Sequence, residues 1–148
     1  MNAVKSLYSR LYSSNIIWAI TGSFGQTLQG ITLKPNDIDI LTNENGAYII
    51  EKLFSDSILQ KVTFKERKNI RSYFGILNIN DVKIEIIGDV ENKINGIWES
   101  HYEWEKHINY LMFEDIKIPV ISLEYEYKIY YKLEKINRAA LIKKALTL

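Results

Sequence analysis

Three carboxylates in this chain stand where carboxylates are costly. Asp37 and Asp39 flank one isoleucine in PNDIDILT, and Glu85 lies in VKIEIIGD among Val82, Ile84, Ile86 and Ile87. On a strand, residues i and i+2 share a face, so Asp37 and Asp39 hold their carboxylates side by side. Such a pair raises the pKa of one member and works against folding unless something offsets the repulsion. A hard divalent cation such as Mg²⁺ does so, because it prefers carboxylate oxygen. Pairs of this kind also occur on ordinary exposed strand faces. Lys83 and Glu85 share a face by the same alternation, so a half-exposed strand with both turned to water explains Glu85 as well. If that strand is buried, Glu85 needs a partner.

Upstream, the apolar run IIWAIT (16–21) ends at Gly22-Ser23. A Gly-Ser turn after a buried strand offers backbone N–H groups and a hydroxyl to phosphate oxygens, although the same pair fits any tight turn. Pro35-Asn36 gives Asp37 a rigid entry into its strand. YKIYYKLEKINR offers four cations, Lys128, Lys132, Lys135 and Arg138, of which the three lysines follow at helical spacings and share a face. A solvated basic face beside Glu124, Glu126 and Glu134 explains them equally well. Lys132, near the middle of the segment, is the candidate for a nucleotide contact. Tyr125, Tyr127, Tyr130 and Tyr131 are surfaces on which a base can stack, but ten tyrosines in one chain are more simply read as packing. His101 and His107 read as surface residues, and no second ligand set accompanies His101 and Glu105 to make a zinc site.

The elements that must position these groups follow from periodicity. Ala3, Val4, Leu7 and Leu11 form a helical stripe over 2–13. Strands are expected at 16–21, 37–42 and 58–64, and a short helix within FGQTLQG, closed by Gly30. Asn43 is a helix N-cap for 44–54, with Glu44 in the first turn. Hairpins are expected over 73–88 about Asn80-Asp81 and over 109–121 about Glu114-Asp115. From 123 to 145 the pattern is helical, broken near Asn137, and ESHYEWEKH (99–107) suggests a lid or an acceptor site. Strands and helices mix without strict alternation, which predicts an α+β fold with a mixed sheet.

Bulk properties exclude several classes. At 148 residues with 47% hydrophobic content, the chain is expected to form one domain, 1–148, with a real core. A formal charge of +1 gives no general reason to expect a nucleic-acid partner. The absence of cysteine removes disulfides, thiolate nucleophiles and thiolate metal sites. No signal peptide and no apolar run of membrane-spanning length is present, so a cytoplasmic protein without a membrane partner is expected.

Gly22-Ser23, a gap, and then Asp37-Ile38-Asp39 between apolar residues, with Glu85 on a later strand, resemble the signature of the DNA polymerase β-like nucleotidyltransferase superfamily. GSFGQTLQG…KPNDIDILT and VKIEIIGD are most similar to its small stand-alone members related to the aminoglycoside nucleotidyltransferases. The resemblance implies a mixed-sheet nucleotidyltransferase fold with flanking and C-terminal helices. It implies transfer of a nucleoside monophosphate from a triphosphate such as ATP to an acceptor hydroxyl, with release of pyrophosphate. It assigns two Mg²⁺ ions to Asp37, Asp39 and Glu85, with Glu85 beside the acceptor, and assigns phosphate binding to Gly22, Ser23 and a basic residue, Lys132. The acceptor class stays open among a small molecule, a protein and an RNA end. An antitoxin-like enzyme that modifies a partner protein is an alternative, although such relatives carry arginines after Gly-Ser and FGQTLQG has none. A non-catalytic nucleotide-binding domain is another. Two departures stand out: Glu85 replaces the more frequent aspartate, and no aspartate follows Arg138 where a Lys-Asp pair is expected.

Overall fold

The computed structural model describes residues 2–101 and 103–147. Helix α1 (Asn2–Leu11) is followed by β1 (Trp18–Thr21), α2 (Gly22–Leu28), β2 (Asp37–Thr42) and α3 (Glu44–Leu53). Next come β3 (Ile58–Glu66), β4 (Ile70–Ile79), β5 (Val82–Ile94) and β6 (Ile97–Ser100). A 3₁₀ turn (Trp104–His107), β7 (Ile108–Phe113), β8 (Ile116–Ile121), α4 (Leu123–Lys132) and α5 (Ile136–Leu146) complete the order. The strands form one mixed sheet in the order β3-β4-β5-β2-β1-β8-β7, with β6 paired to β5. Among the described residues no helix is long and apolar enough to cross a membrane.

Each strand of the centre alternates between two faces. Ile38 and Ile40 of β2, Ile84 and Ile86 of β5, and Ile118 and Val120 of β8 face a core completed by Ala3, Val4, Leu7 and Leu11 of α1 and by Ala47 and Ile50 of α3. The α1 stripe read from the sequence is therefore the face that packs. On the other side of the sheet, Ala19, Leu41 and Ile121 meet Trp104 and Tyr125 in a second cluster under α4. The carboxylates lie on this second face.

Local chemistry sets the boundaries. Asn43 caps α3 by accepting a hydrogen bond from the Gly46 N–H at 2.7 Å, and Ser122 caps α4 through the Tyr125 N–H at 3.2 Å. Both hairpins turn where expected, with Asn80 and Asp81 at positive φ in the first and Glu114 in the second. Other boundaries moved. Strand β1 begins at Trp18, not at residue 16, and the break between the last helices falls before Ile136. Strand β5 runs on to Ile94 because its far half pairs with both β4 and β6 after a bulge between Arg71 and Tyr73. The segment read as a lid contributes β6 and the 3₁₀ turn; Tyr102 within it lies outside the described residues.

Candidate active site

The parallel ladder between β2 and β5 sets Asp37 opposite Lys83 and Asp39 opposite Glu85. The antiparallel ladder between β1 and β2 sets Thr21 opposite Asp39. Thr21, Asp39 and Glu85 thus form one row across three adjacent strands, on the face away from the α1 core. Chain direction then delivers Gly22 beside the row: at Gly22, φ is +71°, and a Cβ there would lie 2.7 Å from Asp39 Oδ2. The turn and Asp39 are in contact, and a Cβ at Gly22 would push the Asp39 carboxylate aside at a φ that other residues rarely adopt.

The electrostatics are those of acids packed together. Burial, then the charge of Glu85 and, more weakly, those of Asp37 and Glu126, push the Asp39 carboxyl up to about 7. Lys83 offsets part of the charge, with Nζ 3.3 Å from Glu85 Oε1 and 3.9 Å from Asp37 Oδ2. Lys83 and Glu85 do share a face, but that face is the floor of the site, and Glu85 is partly buried in it. Among the described residues, no group of three or more His, Cys, Asp or Glu side chains stands ready-formed as a metal cage. Asp39 and Glu85 are apposed, while Asp37 turns toward Lys83. The donor set nonetheless fits a hard divalent cation. Asp39 Oδ1 is buried and takes no hydrogen bond, and a cation against it would satisfy the oxygen and hold the carboxyl ionised.

Two residues support the turn: Glu126, which the sequence placed on a solvated face but which is buried, and Arg138, one of the cations of the C-terminal segment. Glu126 of α4, only 6% exposed, accepts hydrogen bonds from the Thr21 hydroxyl at 2.8 Å and the Gly22 N–H at 2.9 Å. Burial raises its pKa, while those two bonds and the Arg138 charge oppose the rise. The Gly22 N–H, expected to meet phosphate, is thus given to Glu126. Arg138 of α5 donates to Ser23 Oγ at 3.2 Å and to Gln26 Oε1 at 2.7 Å, and its Nε is buried without a partner. The structure brings Arg138 to Ser23, whereas Lys132 pairs with Glu99 at 3.2 Å. Helical spacing carried a signal for Glu126, which falls on the same stripe as Leu123 and Tyr130. Arg138 was among the cations offered by YKIYYKLEKINR, but Lys132 was preferred to it, because the contact with Ser23 depends on how α5 folds back.

The histidines are not surface residues of a common kind. His101 is held with Nε2 2.5 Å from Asn92 Oδ1, and burial followed by the Lys132 charge lowers its pKa to about 4. It is less exposed than expected because β6 turns back over β5. His107 stacks on Tyr125 with ring centroids 4.7 Å apart.

Comparison with known proteins agrees with this geometry. The family model described as aminoglycoside-2''-adenylyltransferase matches residues 3–141. A protein from Thermotoga maritima assigned to the nucleotidyltransferases has a crystal structure that superimposes with a TM-score of 0.85 at 39% identity, covering 99% of this chain and 91% of that one. The lincosamide antibiotic adenylyltransferase LnuA, solved with lincomycin bound, shares the fold at a TM-score of 0.56 and 16% identity, over 97% and 94% of the two chains. ANT(2'')-Ia, solved with adenylyl-2''-tobramycin, shares it at 0.61 and 13%, over 99% and 90%. No curated protein matches the sequence. With nearly its whole length matched, and with the turn and acidic row in contact, the chain belongs to the aminoglycoside-2''-adenylyltransferase family of nucleotidyltransferases.

Proposed function

We propose that this nucleotidyltransferase moves a nucleoside monophosphate from a nucleoside triphosphate to the hydroxyl of a small-molecule acceptor and releases pyrophosphate. The family's description favours ATP as the donor. The observation that carries the proposal is the apposition of Asp39 and Glu85 beside Gly22, with one Asp39 oxygen buried and unpartnered.

Asp37, Asp39 and Glu85 would hold Mg²⁺, which when bound neutralises phosphate charge and lowers the pKa of the acceptor hydroxyl. The remaining roles belong to the chain. Ser23 and Arg138 bind phosphate oxygens, the guanidinium supplying fixed positive charge with a spare N–H. Glu126 holds the Gly22 turn in register with Asp39. Glu85 receives the proton of the acceptor hydroxyl. That oxygen forms its bond to the α-phosphorus as the bond from phosphorus to the β-bridging oxygen breaks, and the electron pair leaves with pyrophosphate. We assign the reaction to the cytoplasm, where triphosphate and Mg²⁺ are both supplied.

The test uses each α-labelled triphosphate with Mg²⁺ and small-molecule fractions as acceptors, with Asp37→Ala/Asp39→Ala as control. Label is expected to move to a small acceptor in the wild type and not in the control. Label transfer surviving in the control would overturn the roles of the two aspartates. Failure of the wild type to bind triphosphate with Mg²⁺ would leave a non-catalytic domain.

A further inference from the structure

The face of the sheet that carries Glu85 continues away from the Gly22 turn. There a cavity of about 170 Å³ is lined by Lys65, Arg67, Ile70, Arg71, Ser72 and Phe74, together with Glu85 itself. The registers explain the grouping: Glu85 pairs with Ile76, Phe74 lies two residues along the same strand, and Lys65 pairs with Ser72. Side chains at these positions rise from one face of β3, β4 and β5.

Four of the lining residues, Lys65, Arg67, Arg71 and Ser72, are donors. Arg71 is already neutralised, with Nε 2.6 Å from Glu91 and Nη1 3.4 Å from Glu66. Lys65 and Arg67 have no carboxylate partner among the described residues; Lys65 instead lies 5.3 Å from the centre of the Phe74 ring. Ser72 is 5% exposed, and its hydroxyl makes no hydrogen bond among the described residues. Apart from Glu85, the cavity therefore holds two cations without a carboxylate partner and a free hydroxyl, beside the apolar Ile70 and Phe74.

We propose that the acceptor is a small anionic polyol, bearing a phosphate or carboxylate group, and that Lys65, Arg67 and Ser72 bind that group while the hydroxyl to be modified meets Glu85. This rests on the nucleotidyl-transfer reading and adds the acceptor class. An amine-rich acceptor such as the tobramycin of ANT(2'')-Ia would set ammonium groups against two free cations, whereas an anion finds complementary charge. A volume of about 170 Å³ suits one small group rather than a polymer.

The experiment compares transfer of label from Mg²⁺–ATP to three sets of acceptors: hexose phosphates, sugar acids, and tobramycin. Wild type and Lys65→Glu/Arg67→Glu are assayed, with Mg²⁺–ATP affinity followed separately by calorimetry. The wild type is expected to prefer one anionic set over tobramycin by about tenfold or more, and the double variant to lose that preference at an unchanged ATP affinity. Whichever anionic set is used decides between phosphate and carboxylate. Preference for tobramycin, transfer to none of the three, transfer instead to an oligonucleotide end, or a preference untouched by the double variant overturns the proposal. ATP that fails to bind the wild type sinks the underlying reading instead.

Discussion

Asp39 is the residue on which the site's chemistry and its instability meet. Its native carboxyl keeps its proton to about pH 7, while the unfolded chain gives it up near 3.8. Between those values the native state binds more protons, so this group makes the protein less stable as pH rises, by roughly a few kcal/mol in total. Asp39→Asn, which has no such proton to lose, should flatten that slope. Urea unfolding in EDTA at pH 5 and pH 8 measures it, and parallel profiles for variant and wild type would show that the carboxyl is not strained. The same substitution should lower the rate of label transfer by about a thousandfold, the usual scale for removing one electrostatic stabiliser of a transition state. His101 runs the other way. Its native pKa of about 4 lies below the ordinary 6.5, so the unfolded chain binds more protons in that interval and stability falls on acidification through it. His101→Gln should remove this component of acid sensitivity, read as the change in urea midpoint between pH 7 and pH 5.

At the scale of elements, α4 is the buttress of the turn between β1 and α2. Glu126→Leu would bury the Gly22 N–H and the Thr21 hydroxyl without acceptors, at about 1–3 kcal/mol each, and the thermal midpoint should drop accordingly. Glu126→Gln keeps an acceptor oxygen and should recover most of the loss. If Gln and Leu behave alike, α4 does not hold the turn through these bonds. Gly22→Ala places a methyl group 2.7 Å from Asp39 Oδ2 at a φ of +71°. It should reduce transfer through the carboxylate it displaces, and cost about 1–3 kcal/mol through backbone strain. Much of this arrangement was legible in the sequence. Two-residue alternation placed Asp37 and Asp39 on one face, the Asn43 cap fixed the start of α3, and turn residues located both hairpins. The partners of Glu126 and Arg138 were hidden for a physical reason: each acts on a residue more than a hundred positions away, and local periodicity reports which face a residue occupies but not what that face meets. Lys132 shows the converse: the face expected to join it to Lys128 and Lys135 does not form, because α4 ends at Lys132 and Lys135 lies past the break as the N-cap of α5, and its partner, Glu99, belongs to a strand the pattern did not reveal.

For the whole molecule, the sheet does what no single element can. It sets β5 beside β2 across the intervening hairpin, so that carboxylates 46 positions apart become neighbours. If those acids share Mg²⁺ as proposed, millimolar Mg²⁺ should raise the thermal midpoint of the wild type but leave Asp37→Asn/Asp39→Asn unmoved; equal shifts in both would place the ion elsewhere. Core substitutions such as Ile86→Ala, fully buried between β2 and β4, should cost about 2–5 kcal/mol without altering the acidic row. The ladder that joins β2 to β5 also orders events in time. Neighbours so remote along the chain meet only when the non-local pairing is complete. An early, half-built molecule offers Asp37 and Asp39 without Glu85, so an ion held by all three, as proposed, would grip only what has already finished assembling. Refolding should then proceed at one speed with Mg²⁺ or with chelator, while the ion slows only the return journey.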